Sequence, residues 1–336
     1  MTDKTGHYRV DYEYARMREV VLGGTNGAMG ARGTVVGKYI EELYPDEDTR
    51  EFMRSIQGTP VSKAHPAYHQ RLVDETDALA AVYEKYGVIV HRTEPYTEEV
   101  IRLCGSGGYA DVFAKDAFET VGHFFFDLAH KKHLYRYFWT ASRSILQQAF
   151  MDDPEMRFLS FPHPFPTRVD EGYGSGPFFE GGDIIVLPGN KVLMGESGQA
   201  SDEFGEAILT RFLDTIGYEL ITIKLHPNML HLDCCVTVIG PDTILYCPET
   251  FIEGLPTVLA DAPNKVETTL LDAQRLLNNA VVIDSDTVVI DARLEGKQGA
   301  ELEALGKTVE YIEFSAHAPL GGALRCKTGV LSRYDN

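Results

Sequence analysis

Three times in this chain an amphipathic helical stretch closes on a glycine and runs at once into a β-rich strand. The stretch 72–86 ends at Gly87 before Val88-Ile89-Val90, 207–216 ends at Gly217 before 220–223, and 301–305 ends at Gly306 before 309–314. Glycine supplies the left-handed residue that stops a helix in each case. Four further stretches read as two short strands joined by a turn: 112–121, 184–194, 236–246 and 281–290. The last three turn at Pro188-Gly189-Asn190, Gly240-Pro241-Asp242 and Asp284-Ser285-Asp286, residue types that favour reversals. With an opening strand at 19–22, the pattern is a diverged, repeated ββαβ module. Such modules need neighbours to bury their faces, so the expectation is one α/β domain over 1–336, a closed ring of modules. A doubly wound dinucleotide fold is the competitor, but no G-x-G-x-x-G stands between a strand and a helix.

A chain of 336 residues, 44% of them hydrophobic, can bury a large core. No run approaches the roughly 20 apolar residues of a membrane span, and the polar start MTDKTGHYRV lacks a signal peptide's apolar region, so a cytoplasmic protein is expected. The five cysteines, Cys104, Cys234, Cys235, Cys247 and Cys326, are odd in number and unevenly spaced, which argues for reduced thiols over a disulfide framework. The formal charge of -19 argues against nucleic acid as a partner, since phosphate binding rests on Lys and Arg, and it suits a cationic ligand. Solubility alone also accounts for it.

Chemistry concentrates in three places. Phe179-Glu180-Gly181-Gly182-Asp183 sets two acids around a glycine pair at the entrance to a strand, where backbone can pass close to a ligand. Taken alone it is more often a solvated bend. His231-Leu232-Asp233 heads the stretch that continues Cys234-Cys235-Val236; read as a strand, it projects His231 and Asp233 to one face. A satisfied histidine or half of a metal pair are the alternatives, and no further ligand cluster with zinc spacing supports a metal. Gly321-Gly322-Ala323-Leu324-Arg325-Cys326-Lys327 puts Cys326 behind a glycine pair and between two cations, which are expected to favour its thiolate. Buried inert cysteine is the ordinary reading of any single thiol. A fourth element, Tyr109 to Phe113 with Asp111 heading a hairpin strand, says almost nothing by itself.

Together and in this order, the four elements resemble the guanidino-modifying enzymes: arginine amidinotransferases, arginine deiminases and dimethylarginine dimethylaminohydrolases. The resemblance runs over most of the chain, from 18–23 to Arg333, and implies the pentein fold, a five-bladed α/β-propeller of ββαβ modules. It implies Cys326 as nucleophile, His231 as general acid/base, Glu180 as the acid that orients the imidazole, and Asp111 and Asp233 as guanidinium clamps reinforced by Asp183. Carboxylates suit a planar cation with several N–H donors. No cofactor is implied. Arg136 and Arg143 are candidates for a substrate carboxylate, with a structural ion pair as the more ordinary reading. Spacing and the aromatic-basic stretch 135–143 look most like amidinotransferases, whose second nucleophile is an amine acceptor. Against that, Glu180 looks hydrolase-like, and Arg325 stands where those transferases usually carry histidine. The alternatives are therefore a guanidino hydrolase using water and, outside enzymes, a non-catalytic pentein binding protein. A homodimer is the default expectation for a soluble enzyme.

Overall fold

In this computed structural model, which describes residues 7–29, 46–165, 167–168 and 171–335, five three-stranded sheets repeat one pattern. In chain order the strands are β1 (Met17–Leu22), β2 (Gly27–Met29), β3 (Ile89–Arg92), β4 (Gly108–Ala110), β5 (Phe118–Val121), β6 (Phe124–Asp127), β7 (Arg157–Ser160), β8 (Ile184–Leu187) and β9 (Lys191–Glu196). They continue as β10 (Glu219–Lys224), β11 (Val236–Val238), β12 (Thr243–Tyr246), β13 (Asn264–Glu267), β14 (Val281–Asp284), β15 (Thr287–Asp291), β16 (Thr308–Ile312) and β17 (Thr328–Arg333). The sheets are β17-β1-β3, β5-β6-β7, β8-β9-β10, β11-β12-β13 and β14-β15-β16, with β2-β4 a small extra pair. In each of the five, the middle strand pairs antiparallel on one side and parallel on the other.

A parallel neighbour requires a crossover. The crossovers carry α1 (Pro66–Lys85), α2 (Trp139–Asp152), α3 (Glu203–Thr215), α4 (Thr257–Ala260) and α5 (Ala300–Ala304). α1 begins on Pro66, whose fixed φ suits a first turn, and it buries the apolar side chains Leu72, Leu79, Ala80 and Tyr83 together with Glu75 and Thr76. Gly87, Gly217 and Gly306 follow α1, α3 and α5 with φ of 77°, 77° and 84°, a conformation that a side chain would strain. The expected ββαβ repeat is present, and its first copy is assembled from both ends of the chain: Val20 and Leu22 of β1 pair with Val330 and Thr328 of β17.

Cores are shared between sheets in a cyclic order. Val121 and Phe126 cluster with Ile184 and Val192; Leu193 with Val236 and Ile244; Leu245 with Val282 and Val288; Val281 and Val289 with Val20 and Leu22; and Val21 and Leu331 with Phe118 and Phe125. Deleting any one sheet would uncover the apolar faces of two others.

Three sequence readings need correction. The hairpin placed at 112–121 is β5-β6, turning at Gly122 and His123, while Val112 and Phe113 are buried non-strand residues in the cluster that holds Cys326. Their apolar character comes from packing, not from strand pairing. Asp111 consequently heads no hairpin strand; it follows β4. The third correction is that His231 and Asp233 do not sit on a strand, because Leu232–Cys234 is a 3-10 turn and β11 starts at Val236.

Candidate active site

The turns that lead into the first strands of the five sheets bring their polar side chains together. Asp116 ends a turn before β5, Glu180 and Asp183 flank the glycine pair before β8, and His231 and Asp233 bracket Leu232 before β11. Asn279 precedes β14, and Cys326 precedes β17. All seven residues are buried.

His231 Nε2 lies 2.9 Å from Glu180 Oε2. The other oxygen of Glu180 accepts the Lys131 amide at 2.9 Å, which fixes the carboxylate's plane. Burial alone would push Glu180 up, yet its bond to His231 and the charges of Lys132 and His130 hold it well below the usual carboxylate range. Burial likewise opposes a charged His231, but Asp116, Cys326, Glu180 and Asp183 together hold the imidazole well above its ordinary value. The pair is a carboxylate and an imidazolium. Nδ1 of His231 is shielded from solvent with no hydrogen-bond acceptor or donor of its own among the described residues, and the Cys326 thiol neighbours the ring. Gly182 permits this placement, since a Cβ there would stand 2.3 Å from Nδ1.

The Cys326 thiol donates to Asp233 Oδ2 at 3.7 Å. Burial, then the charge of Asp233, pushes the thiol up to about 12, against the pull of His231. The expectation that Arg325 and Lys327 favour the thiolate does not hold. Arg325 turns to Asp233 Oδ2 (3.1 Å) and to Glu13 (2.9 and 3.0 Å), and Lys327 donates to the Gly24 carbonyl. Asn279, which no sequence signal marked, accepts the amides of Arg325 and Cys326 through one oxygen at 2.9 and 3.0 Å and so sets the cysteine's backbone.

The carboxylates differ in what they have left to offer. Both oxygens of Asp183 are taken by backbone amides, Leu232 at 3.1 Å and Ser201 at 3.2 Å, so it braces its own turn against the one that holds His231. Asp233 is shared among Arg325, Cys326 and Cys234, whose thiol reaches Oδ1 at 3.5 Å. Asp116, overlooked in the sequence, accepts the Gly182 amide at 3.2 Å on Oδ1 and nothing on Oδ2 among the described residues. Burial pushes it up to about 7, with His231 pulling down and Glu180 and Asp233 pushing up. One usable signal existed: counted from the true hairpins, Asp116 stands two residues before its strand, close to the places Asp183 and Asp233 hold before theirs.

The remaining candidates are each bonded to other groups. Asp111 Oδ1 accepts the Asn26 amide at 2.8 Å, and its charge neighbour is Lys327. Arg136 is tied to the carbonyls of His130, Lys131 and Tyr173. Arg143 pairs with Asp127 at 3.1 Å and lies over the rings of Phe158 and Trp139. Among the described residues no group of three His, Cys, Asp or Glu could hold a metal, and no helix is long and apolar enough to cross a membrane.

Comparison with known proteins gives the geometry a context. The family model of arginine deiminase matches residues 141–292. An uncharacterized Caenorhabditis elegans protein is 30% identical over 159 residues, 47% of this chain and 55% of that protein, so the matched stretch spans about half of the curated relative. Among solved structures, an amidinotransferase of the saxitoxin biosynthetic pathway from Microseira wollei superposes with a TM-score of 0.74 at 18% identity, covering 98% of both chains. The inosamine-phosphate amidinotransferase of Streptomyces griseus gives 0.72 at 20%, covering 98% of this chain and 97% of that one. A dimethylarginine dimethylaminohydrolase gives 0.62 at 15%, covering 93% and 98%. The fold is thus a mixed α/β fold held in common with amidinotransferases and arginine-type hydrolases. Over 141–292 the chain matches the arginine deiminase family model, and over nearly its whole length it has the fold of these amidinotransferases and of the dimethylarginine dimethylaminohydrolase.

Proposed function

We propose that this protein moves the amidino group of an arginine-like donor to an amine acceptor through a covalent intermediate on Cys326, in a five-bladed ring whose blades are the five repeated sheets. The observation that carries the chemistry is a buried thiol, an imidazolium and a carboxylate with one free oxygen, meeting where the turns converge. A guanidinium has in-plane N–H donors for Asp116 Oδ2 and for Asp233, while the thiol approaches the carbon from the face. At rest the thiol is neutral. A cation brought among these carboxylates offsets the charge that raises its pKa, so the thiolate forms when the substrate is in place, its proton leaving by way of Asp233.

Sulfur then bonds to the central carbon. His231 donates its proton to the departing nitrogen as that C–N bond breaks, releasing ornithine and leaving a cationic amidino-thioether. The neutral His231 next takes a proton from the acceptor amine as its nitrogen adds to the same carbon, and the carbon–sulfur bond breaks to return the Cys326 thiolate. Glu180 holds the imidazole through both steps. The transfer reading is supported by the whole-chain superposition on two amidinotransferases. Hydrolysis, with water as second nucleophile, is supported by the arginine deiminase family match over 141–292.

The test is incubation of the protein with arginine, with and without a panel of primary amines, followed by mass spectrometry. Ornithine together with a new guanidino compound is expected. Citrulline or urea without amine dependence would establish the hydrolase, and full activity in Cys326→Ser would refute the covalent route.

A further inference from the structure

Asp111, left out of the guanidinium centre, forms the wall of a separate cavity of about 370 Å³. The cavity lies between the end of β1, α1 and the segment after β3, and its other polar walls include Tyr96, Tyr109, Thr93 and His69. Asp111 is buried, and with Oδ1 on the Asn26 amide its Oδ2 accepts from no other residue among those described. Glycine at 24 makes room for it: a Cβ there would stand 2.5 Å from the carboxyl carbon. The rings of Tyr96 and Tyr109 lie with centroids 5.9 Å apart at 37°, two walls of an aromatic box next to the acid. The Thr93 hydroxyl oxygen is shielded from solvent without a hydrogen-bond partner among the described residues.

We infer that this cavity is a binding site for a primary ammonium group, with Asp111 as its anchor and Tyr96 and Tyr109 as its aromatic walls. A compact ammonium has three N–H donors. Asp111 Oδ2 and the Thr93 hydroxyl each lack one, and ring faces attract a cation. Two cations stand nearby, each with a hydrogen-bond partner other than the Asp111 carboxylate: Arg92, which lines the cavity, bonds Asp77 at 2.7 Å, and Lys327, whose charge acts on Asp111, donates to the Gly24 carbonyl. Burial lowers the pKa of His69, which favours its neutral form. The cavity wall adjoins the residue after Cys326, since the amide of Gly23, which lines the cavity, donates to the Lys327 carbonyl at 3.0 Å. On the function proposed above, the tenant is therefore the ammonium end either of the amidino donor or of the acceptor.

The experiment uses the full chain with Cys326→Ser, so that no turnover intervenes, and titrates n-butylammonium chloride and its neutral counterpart n-butanol by calorimetry. The ammonium is expected to bind and butanol not; Asp111→Asn, which keeps the acceptor for Asn26, should weaken binding at least tenfold. Tyr96→Leu should weaken it severalfold with the thermal midpoint unchanged, which guards against a folding effect. Equal binding by butanol, or undiminished binding by Asp111→Asn, would overturn the proposal. Repeating the titration in saturating arginine assigns the tenant: retained binding marks an acceptor site, and competition marks the donor's own amine. Ammonium binding with no arginine chemistry in the wild-type enzyme would refute the function above and leave this site standing.

Discussion

The resting state of Cys326 follows from where its neighbours point. Sequence position suggested two flanking cations acting on the sulfur, but Arg325 bonds Asp233 and Glu13, Lys327 bonds the Gly24 carbonyl, and burial beside Asp233 pushes the thiol up to about 12. Alkylation by iodoacetamide is therefore expected to be slow at pH 7, and its rate should climb about tenfold per pH unit through pH 9 to 10 without a plateau. A plateau near pH 7 would show an activated thiolate in the free enzyme. Asp116 is the other residue whose role rests on geometry. Asp116→Asn keeps the oxygen that accepts the Gly182 amide and removes the charge; turnover of arginine should fall by about 100-fold or more, in the range found for lost charge-assisted contacts to a transition state, with the thermal midpoint held. Loss of less than a few-fold would move the guanidinium clamp elsewhere.

At the level of elements, short turns carry the site and the hairpins behind them fix it. Each candidate acid or base stands within a few residues of a strand whose partners are set by the sheet, so a turn can hold a side chain to a fraction of an ångström. Gly182→Ala tests this. The added methyl would stand 2.3 Å from His231 Nδ1 and 2.6 Å from Cγ, with a buried ring that has no room to swing away. A loss of about 1 to 3 kcal/mol in chemical denaturation is expected, as in overpacked cores, together with loss of activity. An active, fully stable variant would mean the turn relaxes and the imidazole is not pinned by it.

For the whole molecule, the last strand and the N-terminal segment tie the chain's ends into the same network as the site. Arg325 joins Asp233 to Glu13, so a site carboxylate and the N-terminal segment share one buried guanidinium. Burial alone would push Glu13 up, but Arg325 holds it at about 2 against an ordinary 4.5. A depressed carboxylate contributes stability above its unfolded value and loses it as pH falls through the folded one. The wild-type protein should thus lose stability between about pH 4.5 and 2, and Glu13→Gln should flatten that part of the profile. The variant should also lose about 3 to 5 kcal/mol at neutral pH, because it leaves Arg325 short of a buried partner. Urea denaturation across pH measures both; an unchanged profile would remove Glu13 from the network.

Much of this was legible in the sequence for a local reason. Helix-closing glycines, turn residues and alternating apolar strands encode ββαβ within some forty residues at a time, and those signals located three of the hairpins and all three helix–glycine–strand units. The motifs around Glu180, His231 and Cys326 were legible because glycine pairs and adjacent acids leave a mark on composition. What the sequence could not set was which oxygen or cation is already engaged. Asp116 and Asp111 are both acids near one hairpin, and only the meeting of turns from different sheets gives one of them an imidazole and the other a cavity with two tyrosines. Arg325 reads as a neighbour of Cys326 along the chain, yet a side chain answers to the nearest unpaired charge in space, and that charge is supplied by residues 92 and 312 positions away.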